Sequence, residues 1–257
     1  MRCLLAGEQR PPGSGAYLIA VLKALGASFT HVPASSTLTP RTLRTRYDVL
    51  IFSDYPCARA PGRLQDAAAE QVRHGTGALM IGGWGSFSGP VGRWRGSRIE
   101  ALLPVRCLPR DDRVRCPSGA LMLPSRPHPL LHGVSFLAPP VVCGLNALLP
   151  RAGSQVVLRA HPLRATATPS RGVGLLRVSY PLLVVGAYGA GRTAALATDA
   201  APHWCGGFVD WGPRMVRVRI APGRHVEVGA QYLAFFRHLL RWLATPRLTR
   251  SQTNGPA

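Results

Sequence analysis

Residues 75–89, GTGALMIGGWGSFSG, limit the possible folds of this chain more than any other stretch. An apolar run at 78–81 leads directly into GGWGS at 82–86. A short buried strand that ends in glycines is typical of the carboxyl edge of an α/β sheet, where ligands bind in a crevice. Glycines permit positive φ and let a ligand or a second backbone come close. We therefore expect an α/β fold with its functional crevice at this loop.

The order of apolar and polar stretches supports this fold class. Strands are predicted at 2–6, 27–32, 47–53 and 78–81, and helices at 16–25 and 64–74. This spacing indicates a doubly wound, mostly parallel sheet with helices on both faces. In the C-terminal half we expect added β-hairpins at 181–198 and 216–228, and then a closing helix at 231–243. We place a single domain at 1–246 and expect a disordered tail at 247–257.

The charge and hydropathy of the chain argue against several classes of partner. The net charge is +20, but Lys23 is the only lysine and the arginines are scattered from Arg2 to Arg250. Such scattering predicts a basic surface with weak polyanion binding and no specific nucleic-acid site. No apolar run is long enough to span a membrane, and the first residues lack the apolar core of a secretory signal. We therefore expect a cytoplasmic protein.

The motifs predict no cofactor and no metal. The six cysteines lack the CxxC spacing that zinc sites usually show. GSGAYL at 13–18 lacks the third glycine of a dinucleotide fingerprint. GAYGAGRT at 186–193 has phosphate-loop spacing, but a strand is predicted after it where a phosphate loop needs a helix.

Polar side chains follow two of the predicted strands. Asp54 comes directly after the strand at 47–53, where crevice residues lie in a doubly wound sheet, although it could equally cap the following turn. Asp199 and His203 lie just beyond the strand that ends at 198, with Trp204 adjacent. A histidine near a carboxylate in such a loop is a candidate for acid–base catalysis. A histidine that only holds the loop is the alternative.

Several motifs together resemble those of a known family. They are YDVLIFSD at 47–54, GALMIGGWGSFSG at 77–89, HPLLHGV at 128–134, PLLVVGAYGAGRTAALATD at 181–199 and PHW at 202–204. In this order they are similar to the bacterial putative glutamine amidotransferases, relatives of the trehalose-utilisation-like branch of the class I glutamine amidotransferase-like fold. The resemblance runs from about residue 2 to residue 243. It implies one class I glutamine amidotransferase-like domain, a flavodoxin-like α/β sandwich and a cytosolic location.

The chain departs from class I amidotransferases at the nucleophile. Those enzymes carry a cysteine in a Gly-x-Cys-x-Gly turn, and alignment on the glycines places Trp84 at that position. An indole has no lone pair that can attack an amide carbon. His203 lies near the position of the family's histidine, but the His-x-Glu pattern is absent. The resemblance therefore implies ancestry without glutaminase activity.

The leading hypothesis is a protein that binds a small polar, carbohydrate-like metabolite at the carboxyl edge of the sheet. The expected crevice residues are Asp54, Gly83, Trp84, Ser86, Phe87, Asp199, His203 and Trp204. A hydrolase or isomerase-type enzyme that uses His203 and Asp199 for acid–base chemistry is the first alternative. A basic interaction module is the second. The hairpin at 216–228 is the surface expected for a homodimer.

Overall fold

A computed structural model describes residues 1–166 and 172–246 of the chain. Its strands are β1 (Arg2–Gly7), β2 (Ser28–Val32), β3 (Val49–Ser53), β4 (Gly77–Ile81), β5 (Val105–Arg106), β6 (Arg113–Pro124), β7 (Val141–Asn146), β8 (Leu149–Pro150), β9 (Gln155–Thr166), β10 (Gly172–Leu175), β11 (Tyr180–Tyr188), β12 (Gly191–Leu196), β13 (Met215–Ala221) and β14 (Arg224–Gly229). Its α-helices are α1 (Gly15–Ala24), α2 (Pro40–Leu43), α3 (Gly62–Arg73), α4 (Arg98–Leu102), α5 (Pro202–Cys205) and α6 (Ala230–Ala244). Single 3-10 turns lie at Cys57–Arg59, Pro129–Leu131 and Gly206–Phe208.

The parallel part of the central sheet has the spatial order β2-β1-β3-β4-β12. Every residue of β3 and of β4 is buried, as in parallel strands that are covered on both faces. The register places Leu50 of β3 between Leu4 of β1 and Ala78 of β4. Because these strands run in one direction, the carboxyl ends of β1, β3, β4 and β12 lie at one edge of the sheet.

The antiparallel part continues the same sheet beyond β12 in the order β11-β9-β6-β7, and β10 pairs with the end of β9. The hairpin expected at 181–198 is confirmed as β11 and β12. At the far end of this part, the backbone N–H of Asn146 donates to the carbonyl of Ala197, just past β12, at 2.9 Å. The antiparallel part therefore curls back onto the carboxyl edge of the parallel part.

Helices cover the sheet on both faces. On one side α6 packs against β3, β4, β12 and α1, and α3 contacts α2, α4 and β12 in the other layer. In α6 the apolar residues of QYLAFFRHLLRWL recur at helical spacing, and Phe236, Leu240 and Leu243 are fully buried. The flavodoxin-like α/β fold class is confirmed, with hairpins added in the C-terminal half.

Two segments differ from the sequence prediction. Residues 141–146, for which no strand is predicted, form β7 directly after the prolines at 139 and 140. The loop expected after 198 contains α5 and a 3-10 turn, because Pro202 begins a helical turn and Gly206, with φ of 50°, ends it.

The hairpin expected at 216–228 is present as β13 and β14. The tail predicted at 247–257 lies outside the described residues.

Within residues 1–166 and 172–246, no helix is long and apolar enough to cross a membrane.

Candidate functional site

The glycine loop after β4 lies at the carboxyl edge of the parallel strands, as predicted. Gly82 donates its backbone N–H to the carbonyls of Leu196 and Thr198, which holds the loop beside β12. Gly83 has a φ of 146°, and a Cβ there would come within 2.6 Å of a carboxylate oxygen of Asp54. Only glycine fits this position. The glycines thus let the loop lie against the ends of both neighbouring strands, β3 and β12.

A buried amide that the sequence analysis missed holds this loop in place. The Oδ1 of Asn146 accepts the N–H of Gly83 at 3.0 Å, and its Nδ2 donates to the carbonyl of Gly83 at 3.3 Å. Nδ2 also donates to Asp112 at 2.6 Å, and Asp112 in turn accepts the N–H of Ser88 at 2.8 Å. Both side chains are buried. No local motif marks Asn146, because its role depends on β7 curling back to β12.

Ser86 and Phe87, two of the residues predicted to line the crevice, support the loop from the inside of the protein. The hydroxyl of Ser86 donates to the carbonyl of Ile81 at 2.5 Å and accepts the backbone N–H of Asp54 at 3.1 Å. Phe87 has a φ of 47°, and its ring is fully buried in the core. Neither side chain reaches the surface, so their expected place in the crevice wall is corrected. Burial of a loop side chain depends on the packing around it, which the local sequence does not encode.

Asp54 occupies the predicted position directly after β3, with a φ of 48°. Its Oδ1 accepts the backbone N–H of Gly85 at 2.5 Å, so the carboxylate ties the ends of β3 and β4 together. Burial raises the pKa of this carboxyl, whereas the Gly85 hydrogen bond and the charge of nearby His203 lower it. Asp54 therefore fixes the turn and also lies close enough to His203 to interact with its charge.

The expected pairing of Asp199 with His203 is not observed. The carboxylate of Asp199 accepts the backbone N–H groups of Ala200 at 2.6 Å and Ala201 at 3.1 Å, just before α5. In the part of the chain that the structure describes, no hydrogen bond joins Asp199 to His203, which is exposed. Burial raises the pKa of Asp199 well above its usual range, and the charge of Glu8 adds to this effect. Asp199 shapes the loop, and the carboxyl whose pKa is lowered by the charge of His203 is that of Asp54.

Glu8 is a third carboxylate at this edge and was missed by the sequence analysis. It follows β1 with a φ of 59°, is 2% exposed, and accepts the hydroxyl of Ser53 at 2.5 Å. Burial raises the pKa of Glu8 to about 7, hydrogen bonds from Ser14 and Ser53 oppose the rise, and the charge of Asp54 adds to it. The signal that could have identified Glu8 is its place directly after a strand of the parallel sheet.

A cavity of about 420 Å³ opens beside the glycine loop. Its lining residues are Trp84, Arg113, Arg115, Cys116, Pro117, Cys143, His203 and Trp204. Trp84 is 44% exposed, and the guanidinium carbon of Arg113 lies over the indole, 4.3 Å from the ring centroid. Asp111 accepts hydrogen bonds from the same guanidinium, the shortest at 2.6 Å. The structure thus brings together three predicted residues, Trp84, His203 and Trp204, beside two arginines that the sequence analysis left out.

Trp204 forms the buried wall of this cavity. Its indole lies against β7 at Gly144, where a Cβ would come within 2.8 Å of the ring. The carbonyl of Gly144 also accepts the hydroxyl of Thr198 at 2.9 Å, which fastens β7 to the end of β12. The close approach of strand and helix α5 therefore depends on a residue without a side chain.

The chemistry of the cavity suits an organic ligand better than a metal ion. Among the described residues, no group of three or more His, Cys, Asp or Glu side chains is arranged to hold a metal. The exposed indole of Trp84 offers a flat apolar face, Arg113 and Arg115 offer cationic hydrogen-bond donors, and His203 offers an imidazole. A compact ligand with an apolar face and an acidic or hydroxyl-rich edge would match these groups.

The parallel sheet, the glycine loop after β4 and the helices on both faces have the architecture of the class I glutamine amidotransferase-like fold. The model of the family described as "Putative glutamine amidotransferase" matches residues 16–216. The chain belongs to this family.

Solved structures share the fold over nearly the whole chain. A cytoplasmic protein from Salmonella typhimurium matches 96% of this chain and 100% of its own, with a TM-score of 0.73 and 24% identity. A second cytoplasmic protein, from Salmonella typhimurium LT2, matches 95% of this chain and 99% of its own, with a TM-score of 0.71 and 23% identity. A ThuA-like protein from Bacteroides uniformis covers 95% and 91% of the two chains, with a TM-score of 0.50 and 15% identity. No curated protein matches the sequence.

Proposed function

We propose that this chain is an amidotransferase-like protein without thioester glutaminase activity that binds a small, negatively charged, carbohydrate-like metabolite in the cavity beside Trp84. The observation that carries the proposal is the exposed indole of Trp84, at the turn after β4, stacked under the guanidinium of Arg113. On the family's Gly-x-Cys-x-Gly pattern, Trp84 takes the place of the nucleophile. No atom of an indole can form the acyl intermediate that thioester chemistry requires.

Two thiols, Cys116 and Cys143, also line the cavity, but both lie on other elements. Cys143 belongs to β7, and a Cβ built on Gly206 would come within 2.7 Å of its sulfur. The sulfur is therefore packed against the backbone of the segment after α5. The turn after β4, whose backbone amides and glycines would surround a nucleophile, presents Trp84 instead.

The ligand class follows from the groups that face the cavity. A sugar ring can lie on the flat face of an exposed indole. A hydrogen bond to Asp111 holds the planar guanidinium of Arg113 in position. Guanidinium groups bind carboxylates and phosphates with paired hydrogen bonds. Arg115 adds a second positive charge on the same wall. A sugar acid or a sugar phosphate satisfies both requirements.

A binding screen tests the ligand class. The purified chain is titrated with neutral sugars, sugar acids and sugar phosphates at constant ionic strength, and binding is followed by calorimetry. We expect a charged sugar to bind, and Trp84→Ala to weaken it at least tenfold, about 1.4 kcal/mol. Trp242→Ala is the matched control, because Trp242 stacks with Arg192 in a separate cavity. Equal losses in the two variants, or no binding by any charged sugar, would contradict the proposal.

The absence of thioester chemistry has its own test. The purified chain is incubated with glutamine and ammonia release is measured, beside Cys143→Ser. We expect no release above the uncatalysed rate from either protein. Ammonia release by the wild type would refute this half of the proposal, and its loss in Cys143→Ser would identify the nucleophile.

A second candidate function is acid–base catalysis on the bound metabolite, with His203 as the proton carrier. The electrostatic interaction between His203 and Asp54 favours it, since the charge of His203 lowers the pKa of that carboxyl. The partner of His203 would then be Asp54 in place of Asp199. Turnover in a hydrolase and isomerase panel that is lost in His203→Asn would support this candidate. Turnover that His203→Asn leaves unchanged would rule it out.

We also propose a cytoplasmic location, on the strength of the description of the two Salmonella proteins as cytoplasmic. Fractionation of cells that express the tagged chain tests this, and recovery outside the cytoplasmic fraction would contradict it.

A further inference from the structure

Two cysteines, Cys116 on β6 and Cys143 on the neighbouring strand β7, lie beside the cavity. The antiparallel register pairs Val114 with Leu145 and Arg115 with Gly144. The next residue on each strand is a cysteine. Residues opposite each other in antiparallel strands have Cα atoms about 4.5 to 5.5 Å apart, and disulfides span Cα separations of about 4.4 to 6.8 Å. Extended by one residue, the register of Arg115 and Gly144 would set Cys116 and Cys143 opposite each other, at a separation that a disulfide can bridge, and both line the same cavity.

The backbone at this point can adjust to a bond. Regular pairing stops after Arg115 and resumes only where Ala120 pairs with Val142. A bulged segment of this kind re-aims side chains and is not held by a continuous ladder of hydrogen bonds. Cys116 lies at the start of the bulge, so its sulfur can approach Cys143 without breaking a regular pair.

Access and reactivity differ between the two thiols. Cys143 is exposed, Cys116 is buried, and both line the cavity that contains Arg113 and Arg115. Burial raises the pKa of the Cys116 thiol, and the charge of Cys143 adds to this rise. Cys143 is therefore the thiol that a small reagent in the cavity meets first.

A third thiol, Cys205, is near but unsuited as the partner. It is fully buried, and burial together with the charge of Asp199 raises its pKa. It is not a lining residue of the cavity, so a reagent there meets Cys143 and Cys116 and not Cys205. It also comes from α5, outside the β6–β7 pairing.

We propose that Cys143 is a site of reversible oxidation by small disulfides and that Cys116 closes it into a disulfide between β6 and β7. The thiolate of Cys143 attacks one sulfur of the reagent, which forms a mixed disulfide and releases one thiolate. Cys116 then loses its proton to that thiolate or to solvent and attacks the sulfur of Cys143. A second small thiolate leaves as the intramolecular bond forms. The reagent is reduced by two electrons, and the two cysteines are oxidised by two.

The test uses the full-length reduced chain and glutathione disulfide as the reagent. After the reaction the sample is quenched with acid, its remaining thiols are alkylated, and intact mass and peptide mapping are recorded. We expect a product that has lost two hydrogen atoms, with Cys116 linked to Cys143, and full reversal by dithiothreitol. Cys57→Ser is the matched control, since Cys57 is half-buried and is not a lining residue of the cavity; it should react as the wild type does.

Two variants separate the steps. Cys116→Ser should stop at the mixed disulfide on Cys143, with a mass gain of one glutathionyl group. Cys143→Ser should acquire neither product at Cys116. If Cys116→Ser fails to fold, Cys116→Ala keeps a small apolar side chain at the buried position and gives the same readout. A wild type that stops at the mixed disulfide, a bond from Cys143 to Cys205, or an unmodified Cys143 would each overturn the inference.

Discussion

The two parts of the central sheet contribute different chemistry to one edge. The parallel strands place carboxylates there: Glu8 after β1, Asp54 after β3 and Asp199 beyond β12. The antiparallel strands bring in the cations Arg113 and Arg115. Because parallel strands run in one direction, their carboxyl ends all lie at one edge of the sheet. The antiparallel strands reach that edge only because β7 curls back. The parallel fold thus determines where the carboxylates lie, and the curvature of the antiparallel part determines where the arginines lie.

The boundary between the two parts is a small set of buried hydrogen bonds. Asn146, at the end of β7, holds Gly83 on one side and Asp112 on the other. The cavity opens between the same two groups of strands, with Trp84 on the parallel side and Arg113 on the antiparallel side. We therefore expect substitutions at the boundary to affect the whole site, and substitutions inside one part to affect that part first.

The largest effect is expected from Asn146→Ala. The change leaves the N–H and carbonyl of Gly83 and one oxygen of Asp112 without the partners they have in the wild type. Buried groups that lose their partners cost about 1 to 3 kcal/mol each, so we expect a loss of about 4 kcal/mol in the free energy of unfolding. Urea denaturation measures it. Gln155→Ala removes an exposed amide on β9 and should cost less than about 0.5 kcal/mol. Equal costs would mean that Asn146 does not join the two parts.

The next largest effect is expected at Gly82 in the glycine loop, in comparison with Gly62, which lies outside that loop. At Gly82 a Cβ would lie 2.1 Å from the carbonyl oxygen of Ala197, so Gly82→Ala must push β4 and β12 apart. We expect a loss of about 3 kcal/mol of stability. Gly62 begins α3 with open space around its Cα, and Gly62→Ala should stabilise the protein by up to about 1 kcal/mol. Thermal denaturation of both variants checks the opposite signs, and a tolerated Gly82→Ala would contradict the close approach.

The same comparison explains what the sequence could predict. Alternating apolar runs and loops in the first half have local periods, so the strands of the parallel part and the position of Asp54 follow from the sequence alone. Glu8 obeys the same rule and could have been found by it. Asn146, Arg113 and Arg115 could not, because their place depends on a contact between strands that are far apart in the sheet order. The burial of Phe87 was missed for a related reason, since a loop residue carries no periodic signal.

A third prediction concerns the pH dependence of the acidic side. Burial raises the folded-state pKa of Glu8 from 4.5 to about 7, so the folded protein holds this proton more tightly than the unfolded chain does. The contribution of Glu8 to stability is therefore complete below about pH 4.5 and is lost as the pH rises through about 7. Over that range the loss amounts to about 3 kcal/mol at most. Asp199 has a raised pKa and acts with the same sign, so the wild type alone does not isolate Glu8.

The variant Glu8→Gln isolates it, because the amide stays neutral at every pH and can still accept the hydroxyl of Ser53. Unfolding free energies are measured by urea denaturation from about pH 5 to about pH 8. We expect the wild type to lose stability relative to Glu8→Gln as the pH rises. Glu227→Gln, at an exposed position on β14, should follow the wild-type curve. Parallel curves for wild type and Glu8→Gln would show that Glu8 titrates as an ordinary surface carboxyl.

The smallest effect concerns the stack of Trp84 and Arg113, which joins the two parts of the sheet beside the cavity. A double-mutant cycle with Trp84→Ala and Arg113→Ala measures the coupling of the stacked pair, which we expect to be about 0.5 to 1 kcal/mol. The exposed ion pair of Arg98 and Asp66, with Nε and Oδ1 3.0 Å apart, serves as the reference and should couple by less than about 0.5 kcal/mol at the same ionic strength. Added salt should weaken the reference pair more than the stack, because the indole face carries no net charge. A stack that couples no better than the reference would mean that the buried hydrogen bonds at the boundary, and not the contact of Trp84 with Arg113, hold the two parts of the sheet together.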